Sequence, residues 1–388
     1  MNPARPYDVV VAGGGPAGCA AALALARAGR RVLLADADNG PPKVGEALVA
    51  AGRVLLDDLG AADRVLGTGH LPCYANLSSW GSSAVHAVDF INDPHGHGWH
   101  LDRRLFDRQL REAARAAGAE VAEHTAVRRP VRHRNGRWSL TLRGRGDDRT
   151  VHCEWVVDAT GRRAAIATRC GARRKTHDRL TAIHLTLAPA AGTEAADGSS
   201  LVASDEDGWW YTALLPSRRR LVAYFTDADL PAAALTTQTR FMQRTLAVRH
   251  LAQRARRHSP PPEATLRRAP AHSAHLDQVY GDGWIAAGDA AVAFDPLSAQ
   301  GIITALYTGK SAGQAIDTQL RGDETALMDY TAKVRAAHTA YRHGLRTVYA
   351  QETRWPHRPF WARRLAATTP HRMEPHHDPA TGSPPPRA

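Results

Sequence analysis

The chain has 388 residues, 43% of them hydrophobic, so it is long enough to bury a large core and to form two or three domains. Its net charge of +12 comes almost entirely from arginine spread along the chain, which indicates a solvated basic surface and no nucleic-acid partner, with an acidic or peptidic partner left open. The four isolated cysteines and the lack of an apolar run of roughly 18 residues predict a cytoplasmic protein with free thiols and no membrane span.

The predicted elements alternate between apolar strands and amphipathic helices. We expect strands at 7–12, 31–35, 120–123, 138–142, 151–157, 182–187, 211–216, 221–226 and 284–287. We expect helices at 16–28, 105–117 and 302–319, with Asp102 as the N-cap of the second. The final stretch, 375–388, is rich in Pro and His and is predicted to be disordered.

A glycine-rich turn follows the first predicted strand and carries the strongest local signal. Its glycines, Gly13, Gly15 and Gly18, have the GxGxxG spacing of a dinucleotide-binding turn, and a predicted helix starts at Pro16-Ala17. The helix N-terminus offers unpaired N–H groups to phosphates. An acid, Asp36, ends the second strand where a ribose hydroxyl is expected, and it fits FAD or NAD better than a 2′-phosphate.

Two later motifs extend this pattern. Residues 156–161 read Val-Val-Asp-Ala-Thr-Gly, and residues 285–291 read Ile-Ala-Ala-Gly-Asp-Ala-Ala. Together with the Arg103 segment (Leu-Asp-Arg-Arg-Leu-Phe-Asp, 101–107), they resemble the FAD-dependent monooxygenase and halogenase superfamily. That resemblance implies FAD as cofactor, with contacts from Gly13, Gly15, Pro16, Ala17, Gly18, Asp36, Ala37, Arg103, Val127, Asp158, Thr160, Gly288, Asp289, Pro296, Gln300, Gly301 and Ile302.

The order of these motifs predicts the architecture. The resemblance implies an α/β (α+β overall) fold, with a Rossmann-like FAD-binding domain of the p-hydroxybenzoate-hydroxylase type and an antiparallel-sheet substrate domain. Flavin motifs at the start, middle and end imply that the first domain is discontinuous. The predicted boundaries are 1–70, 100–165 and 275–330 for the FAD-binding domain, 71–99 and 166–274 for the substrate domain, 331–374 for a C-terminal helical segment and 375–388 for the tail.

Four further stretches resemble a narrower group. They are Lys-Val-Gly-Glu at 43–46, the Trp-Trp-Tyr segment at 208–216, Phe-Asp-Pro-Leu-Ser-Ala-Gln-Gly-Ile at 294–302, and the aromatic segment at 354–361. Together they look like tryptophan-halogenase-like flavoproteins, nearest to the monooxygenases that mature tryptophylquinone cofactors. This resemblance implies hydroxylation of a tryptophan or indole ring, on a free or peptide-bound substrate, through a flavin C4a-hydroperoxide.

Departures from the halogenase pattern favour hydroxylation. Halogenases of this kind carry a lysine in the region matching about 70–85, and here no lysine lies between Lys43 and Lys175. Ser298 and Ala299 stand where those halogenases have Glu-Ser. An aromatic halogenase and a prenyl-chain reductase of the same superfamily remain alternatives, as does a flavoprotein that only binds a partner. The electron donor, NAD(P)H or a flavin reductase, is not indicated.

The candidate catalytic residues are His100 as a base, Glu46 beside the flavin ring and Ser298 in the late loop. Candidate substrate-binding aromatics are Trp99, Trp209, Trp210 and Tyr211, although alternation along a strand must turn some of them away from the pocket. No metal is predicted, because His86, His95 and His97 have irregular spacing in a Gly/Pro loop.

Overall fold

The computed structural model of the chain describes residues 6–37, 46–146, 148–190 and 197–366. Within these ranges nine α-helices form: α1 (Pro16–Arg27), α2 (Gly52–Asp58), α3 (Ala62–Leu66), α4 (Arg103–Ala116), α5 (Gln238–Ala247), α6 (Arg249–Ala255), α7 (Gly301–Leu320), α8 (Ala326–Ala350) and α9 (Pro359–Ala366). No described helix is both long and apolar enough to cross a membrane.

The same ranges contain twenty-two β-strands. They are β1 (Tyr7–Ala12), β2 (Val32–Ala35), β3 (Ala47–Leu48), β4 (Leu71–Cys73), β5 (Ala75–Ser79), β6 (His86–Asp89), β7 (Gly98–His100), β8 (Glu120–Ala122), β9 (Ala126–Arg132), β10 (Trp138–Arg143), β11 (Arg149–Asp158), β12 (Arg174–Thr176), β13 (Leu180–Pro189), β14 (Ser199–Asp205), β15 (Gly208–Leu214), β16 (Arg220–Asp227), β17 (His258–Ser259), β18 (Arg267–Pro270), β19 (Ala274–Leu276), β20 (Tyr280–Gly281), β21 (Trp284–Ala286) and β22 (Val292–Ala293). Every strand and helix predicted from the sequence is present, with ends that shift by up to three residues.

The first large sheet has a parallel core in the order β21-β11-β1-β2-β8. Strands β10 and β9 extend it through antiparallel pairs, and β20 pairs with β21. Val9, Val10 and Val11 of β1 are completely buried, as expected for a strand covered on both faces. The predicted α/β fold is therefore confirmed in its most characteristic part.

The register of this sheet brings distant motifs to one edge. Ala12 lies opposite both Ala35 and Asp158, and Asp158 lies opposite Ala286. The glycine-rich turn, Asp36, the segment after β11 and the Gly288-Asp289 pair therefore all emerge where parallel strands end. Ligands of open α/β sheets bind at such an edge.

The second large sheet has the order β17-β13-β16-β15-β14-β5-β6, with β18 paired to β13. Its pairs are antiparallel as predicted, except that β5 runs parallel to β14. After β6 the chain passes through the first sheet before it returns, so no hairpin dictates the direction of β14 relative to β5.

The strands of each large sheet come from one of the two predicted domains, and two small sheets, β3-β7-β4 and β12-β19-β22, lie beside them. The domain boundaries themselves stay a prediction. The predicted C-terminal helical segment corresponds to α8 and α9, although α8 begins five residues earlier, at Ala326. Residues 367–388, which include the tail predicted to be disordered, lie outside the described residues.

Helices α1 and α7 pack against each other at unusually small residues. A β-carbon added to Gly309 would overlap the Ala17 carbonyl oxygen, and one added to Gly313 would lie 2.8 Å from the Ala21 carbonyl oxygen. The two helix backbones are therefore in direct contact. This contact fixes α7 over α1 and, with it, the start of α7 beside the sheet edge.

Replacing Gly309 by alanine is expected to lower the free energy of unfolding by about 1–3 kcal/mol, because the methyl group forces the helices apart. Gly344→Ala on α8 is the matched control, since nothing lies within 4 Å of the added carbon and the protein should gain about 0.5–1 kcal/mol from helix propensity. Urea denaturation followed by circular dichroism measures both. Equal shifts for the two variants would contradict the close α1–α7 contact.

Candidate functional site

The turn between β1 and α1 leaves no room for side chains. Gly13 has φ +112°, and a β-carbon there would overlap the Ala159 carbonyl oxygen; a β-carbon on Gly18 would overlap the carbonyl oxygen of Gly13. Helix α1 starts at Pro16 after Gly15, and no described side chain caps it. The N–H groups of its first turn therefore remain available at the sheet edge, which fits the pyrophosphate of the predicted dinucleotide.

Asp36 lies beside this turn, with only 14% of its side chain exposed. A β-carbon added to Gly14 would lie 2.7 Å from the Asp36 β-carbon, so the turn and the carboxylate are in contact. The Arg111 guanidinium, on α4, lies 3.1 Å from the Asp36 Oδ2 and holds the carboxylate in place. Sequence reasoning missed Arg111, because nothing local distinguishes it from the other arginines of α4.

Ala37 and Val127 were predicted to contact the cofactor near the same place. The Thr125 backbone N–H donates to the Asp36 carbonyl oxygen at 2.7 Å, which brings the start of β9 beside the end of β2. Val127 is the second residue of β9 and is partly buried against the main core. Both residues therefore lie near Asp36, and their contact with a cofactor stays a prediction.

Asp158, predicted to contact the cofactor, is hydrogen-bonded within its own loop. It is fully buried, and its Oδ1 accepts from the Thr160 backbone N–H at 3.0 Å and the Thr160 hydroxyl at 2.7 Å. Its Oδ2 accepts from the backbone N–H groups of Ile166 and Ala167, both at 2.8 Å. Both carboxylate oxygens are thus used within the chain, so the Asp158 side chain shapes the loop after β11. Contact between Asp158 and the cofactor stays a prediction.

The Gly288-Asp289 pair lies over the start of α1. Gly288 has φ +61°, and a β-carbon there would lie 2.7 Å from the Ala17 β-carbon. The Arg162 Nε is 3.5 Å from the Asp289 carboxylate, and Arg174 donates to the Asp289 carbonyl oxygen at 3.0 Å. The Nε and second terminal nitrogen of Arg174 are buried without a hydrogen-bond partner. Burial lowers the Arg174 pKa, and the neighbouring charge of Arg162 lowers it further.

The loop from 294 to 302 leads into α7 along the same edge. Pro296, Gln300 and Gly301 are exposed, whereas Ile302 is buried in the core. The Ser298 hydroxyl donates to the Asp295 carbonyl oxygen at 3.0 Å, so this predicted catalytic side chain closes the turn within its own loop. The exposed positions leave the loop backbone open to a bound group, as predicted for the flavin.

Asp295 anchors this loop from inside the protein. Its carboxylate accepts from the Leu297 backbone N–H at 2.9 Å and from the Tyr349 hydroxyl at 2.8 Å. Its own backbone N–H donates to the Tyr341 hydroxyl at 2.7 Å. Complete burial raises the pKa of the carboxyl to about 6. The residue was not singled out from the sequence.

A cavity of about 400 Å³ separates the start of α4 from the second sheet. Glu46 and Arg103 line one side, and His184, Thr186 and Leu221 line the other. Its size falls in the range of small-molecule sites, roughly 300–1,000 Å³. None of its described lining residues is a lysine, and Lys43 lies outside the described residues.

Arg103 enters the cavity wall from the first turn of α4. As predicted, Asp102 caps this helix, and its carboxylate accepts from the backbone N–H groups of Arg104 and Leu105, both at 3.0 Å. The Arg103 guanidinium pairs with Asp107 one turn later at 3.2 Å and has 12% of its side chain exposed. The helix start thus presents a fixed cation to the cavity.

Glu46 and Tyr211 approach each other from the two sides of this region. Glu46 is 7% exposed, and its carbonyl oxygen accepts from the Leu101 backbone N–H at 2.7 Å. The Tyr211 hydroxyl is buried without a hydrogen-bond partner, and its pKa is raised, first by burial and then by the neighbouring Glu46 and Cys73. A buried hydroxyl without a partner favours a ligand that completes its hydrogen bonding.

Two histidines flank the cavity region as neutral rings. Burial lowers the pKa of both His100 and His184 to about 4. His100 is completely buried, and neither ring nitrogen forms a hydrogen bond of good geometry with a described residue. His184 projects from β13 into the cavity wall. It was missed in the sequence, where the signal was a polar residue at one alternate position of an apolar strand.

The predicted aromatic wall is only partly present. Trp209 stacks on Phe225 with ring centroids 3.8 Å apart, and Trp210 packs on the opposite face against Tyr224 and Phe241. Both indoles are essentially unexposed, and neither lines the cavity. Trp99 is likewise part of the main core. All three tryptophans are packed in hydrophobic clusters, and their contact with a substrate stays a prediction.

The comparisons with known proteins show FAD as the cofactor. A family model described as FAD binding domain matches residues 6–342. LodB of Marinomonas mediterranea, named as an FAD-dependent oxidoreductase, is 28% identical over 369 residues, which cover 93% of this chain and 97% of LodB.

The flavin-dependent halogenase CmlS is similar in structure, with a TM-score of 0.80 at 25% identity. The match covers 93% of this chain and 68% of CmlS. The chain is also similar to the peptidyl tryptophan dihydroxylase QhpG, which is described as essential for tryptophylquinone cofactor biogenesis. The TM-score is 0.75 at 26% identity, and the match covers 93% of this chain and 79% of QhpG.

Replacing Asp36 by alanine is expected to weaken FAD binding by roughly 1.5–3 kcal/mol, about tenfold to a hundredfold, because a charged hydrogen-bond acceptor beside the glycine turn is lost. Fluorescence titration of the flavin-free protein with FAD measures the affinity. Asp63→Asn, at a fully solvated carboxylate on α3, is the control and should bind as the unchanged protein does. Unchanged affinity of the Asp36 variant would contradict the assignment.

Replacing Asp295 by asparagine is expected to change how stability depends on pH. The folded-state pKa of about 6 lies above the ordinary value of 3.8, so the folded protein keeps a proton that the unfolded chain releases. The unchanged protein therefore loses stability as pH rises from 4 to 7, by up to roughly 3 kcal/mol relative to Asp295→Asn. Urea denaturation of both proteins across this pH range measures the difference, and a constant difference would show that the buried carboxyl does not titrate there.

Proposed function

The chain belongs to the FAD-binding-domain family and is an FAD-dependent oxidoreductase, and from that premise we propose that it is a monooxygenase that hydroxylates an aromatic ring. The proposed ring is that of tryptophan or indole, carried on a peptide or protein partner. The observation that supports hydroxylation is the cavity wall, where proton acceptors and arginines are present and no described lysine is found. The similarity to QhpG, a peptidyl tryptophan dihydroxylase, supports the type of substrate.

The described residues fit FAD at the sheet edge. The side-chain-free turn at Gly13 and Gly18, with the open first turn of α1, suits the phosphates, and Asp36 suits a ribose. Asp289 and the exposed backbone between Pro296 and Ile302 would hold the flavin half of the molecule. Reduced FAD, together with molecular oxygen, supplies an electrophilic oxygen to a substrate ring.

The residues of the cavity supply what an electron-rich ring needs. The Glu46 carboxylate and the neutral His184 imidazole are both 7% exposed, so they can accept a hydrogen bond from an indole N–H with little competition from water. A hydrogen bond of this kind increases the electron density of the ring. Because its pKa is about 4, His184 remains uncharged at neutral pH and can act as an acceptor.

The outer part of the cavity favours a negatively charged substrate. Arg104, Arg219 and Arg267 line it and are exposed, and the acidic side chains among its lining residues, such as Glu263, only partly balance them. A peptide that carries carboxylates near its tryptophan matches this charge. A prenyl-chain reductase would need a long apolar tunnel, and this charged wall does not favour that alternative.

Halogenation of an aromatic substrate is the second candidate, because the similarity to CmlS covers nearly the whole chain. In that case hypohalous acid would have to reach the substrate from the flavin. A positively charged lysine in the cavity would serve to hold it, and the described lining residues offer none. The two candidates predict different products, so the mass of the product distinguishes them.

The product is expected to gain oxygen from molecular oxygen and no halogen. Chemically reduced FAD, oxygen-18 gas, chloride and bromide are supplied together with free tryptophan, indole or an acidic tryptophan-containing peptide, and the products are weighed by mass spectrometry. Catalase and superoxide dismutase, added to every reaction, remove oxidation by free peroxide. A parallel reaction without substrate contains a small phenol that traps hypohalous acid.

Incorporation of oxygen-18 into the peptide supports the proposal. A chlorine or bromine isotope pattern in any product, or halogenation of the phenol that depends on the protein, would contradict it and favour the halogenase. The phenol reaction needs no knowledge of the true substrate, so it distinguishes the two candidates even if all three aromatic probes remain unchanged.

A further inference from the structure

Three histidines from distant parts of the chain meet outside the flavin site. His177 follows β12, His275 lies in β19, and His338 lies in α8. Each histidine contributes one ring nitrogen to a group of three nitrogens that lie within 4.8 Å of one another. The His177 Nε2 is 2.7 Å from the His275 Nδ1, and their rings stack with centroids 4.8 Å apart. The His338 ring centroid lies 4.7 Å from that of His275 and 5.4 Å from that of His177.

The backbone holds these three side chains in place. Strands β12 and β19 are paired, with Lys175 opposite His275, and the His177 N–H continues the pairing by donating to the Ser273 carbonyl oxygen at 2.9 Å. Helix α8 is attached to the same strand because the Tyr341 hydroxyl is hydrogen-bonded to the Ser273 hydroxyl at 2.7 Å. His338 lies one turn before Tyr341. The cluster is therefore held by three elements that are bonded to one another.

We propose that His177, His275 and His338 form a binding site for a divalent transition-metal ion of the zinc or copper class. Three neutral imidazoles are a common ligand set for these metals, and the fourth position would be open to water on the side of the exposed His177. Metal–nitrogen bonds of about 2.0–2.1 Å at a tetrahedral site require ring nitrogens roughly 3.4 Å apart. Ring rotations that move the nitrogens by about an ångström would bring them to this spacing.

The state of the rings favours metal binding. The pKa of each histidine is lowered, first by burial and then by charged neighbours that include Arg342. The rings are therefore neutral at neutral pH, as metal ligands must be, and a metal would replace the hydrogen bond between His177 and His275. The His338 Nε2 is buried without a hydrogen-bond partner, and a metal ion would coordinate this nitrogen through its lone pair.

The charges around the cluster are mixed. Arg342, Lys175 and Arg174 oppose a bound cation, whereas Asp178 and Asp277 favour it. The Asp178 carboxylate accepts from the backbone N–H groups of Leu180 and Ser273, so it acts as a nearby charge and not as a ligand. The affinity should therefore be lower than that of a site with carboxylate or thiolate ligands.

A metal here would stabilise the junction between α8 and the β12-β19-β22 sheet. Tyr341, on the same helix, stacks on Phe294 with centroids 3.9 Å apart and accepts the Asp295 backbone N–H. The metal would thus secure the helix that supports the loop leading into α7. This inference does not depend on which reaction the flavin site performs.

The test uses the untagged full-length protein, treated with EDTA and freed of it by gel filtration. Zinc binding is measured by calorimetry, and cobalt(II) is used as a visible-light reporter of the ligand geometry. One zinc ion per chain should bind and raise the melting temperature. His275→Gln, His338→Gln and the exposed His177→Gln should each weaken binding at least about tenfold, because even indirect changes around metal sites cost 10–100-fold.

Two control variants isolate the cluster. His343→Gln changes an exposed histidine on α8, and a combined His376→Gln and His377→Gln variant removes neighbouring histidines near the C-terminus. Both controls should bind zinc as the unchanged protein does. The proposal is overturned if the unchanged protein binds no zinc, or if binding survives all three cluster variants, or if only the His376/His377 variant loses it. His177→Gln keeps the test valid if the two more buried variants fail to fold.

Discussion

The structure depends on direct backbone contact at the turn between β1 and α1. Gly13 and Gly18 touch each other there, and α7 lies on α1 through Gly309 and the Ala17 carbonyl oxygen. Since no side chain fits in these contacts, strand, turn and both helices form one unit. The unpaired N–H groups of α1 are thereby fixed at the edge where the parallel strands end. Every later flavin-binding segment is useful only because this edge is in place.

The second sheet divides its two faces between stability and function. One face packs Trp210 against α5 and α6, and part of the other packs Trp209 against Tyr349 and α9. The C-terminal helices are held there by ion pairs such as Arg364–Asp227 at 2.9 Å. Between these packed regions His184 and its neighbours face the cavity and form its wall. The large aromatic residues are packed on both faces of the sheet, and smaller polar residues line the cavity where we propose that the substrate binds.

Some buried polar groups near the candidate site lack hydrogen-bond partners. Many of the arginines that give the chain its charge are paired with acids, as Arg244 is with Asp205 at 3.0 Å. By contrast, the Tyr211 hydroxyl and two nitrogens of Arg174 are buried without partners. An unsatisfied buried polar group costs roughly 1–3 kcal/mol, and a bound ligand can remove this cost. These groups lie near Glu46 and Asp289, where substrate and flavin are expected, so the protein is less stable at this site than its packing allows.

The sequence by itself determined the strand–turn–helix at Gly13–Gly18 and the N-cap at Asp102, because local backbone geometry fixes both. The order of the flavin motifs is read directly from the sequence. It also predicted the two large sheets, since apolar runs and turns are local. Only the tertiary structure decided that Trp209 and Trp210 are core residues, that Arg111 pairs with Asp36, that His184 lines the cavity and that three histidines meet. Those outcomes depend on which face of a strand a neighbouring helix covers, and on contacts between residues many tens of positions apart, and no local pattern encodes either.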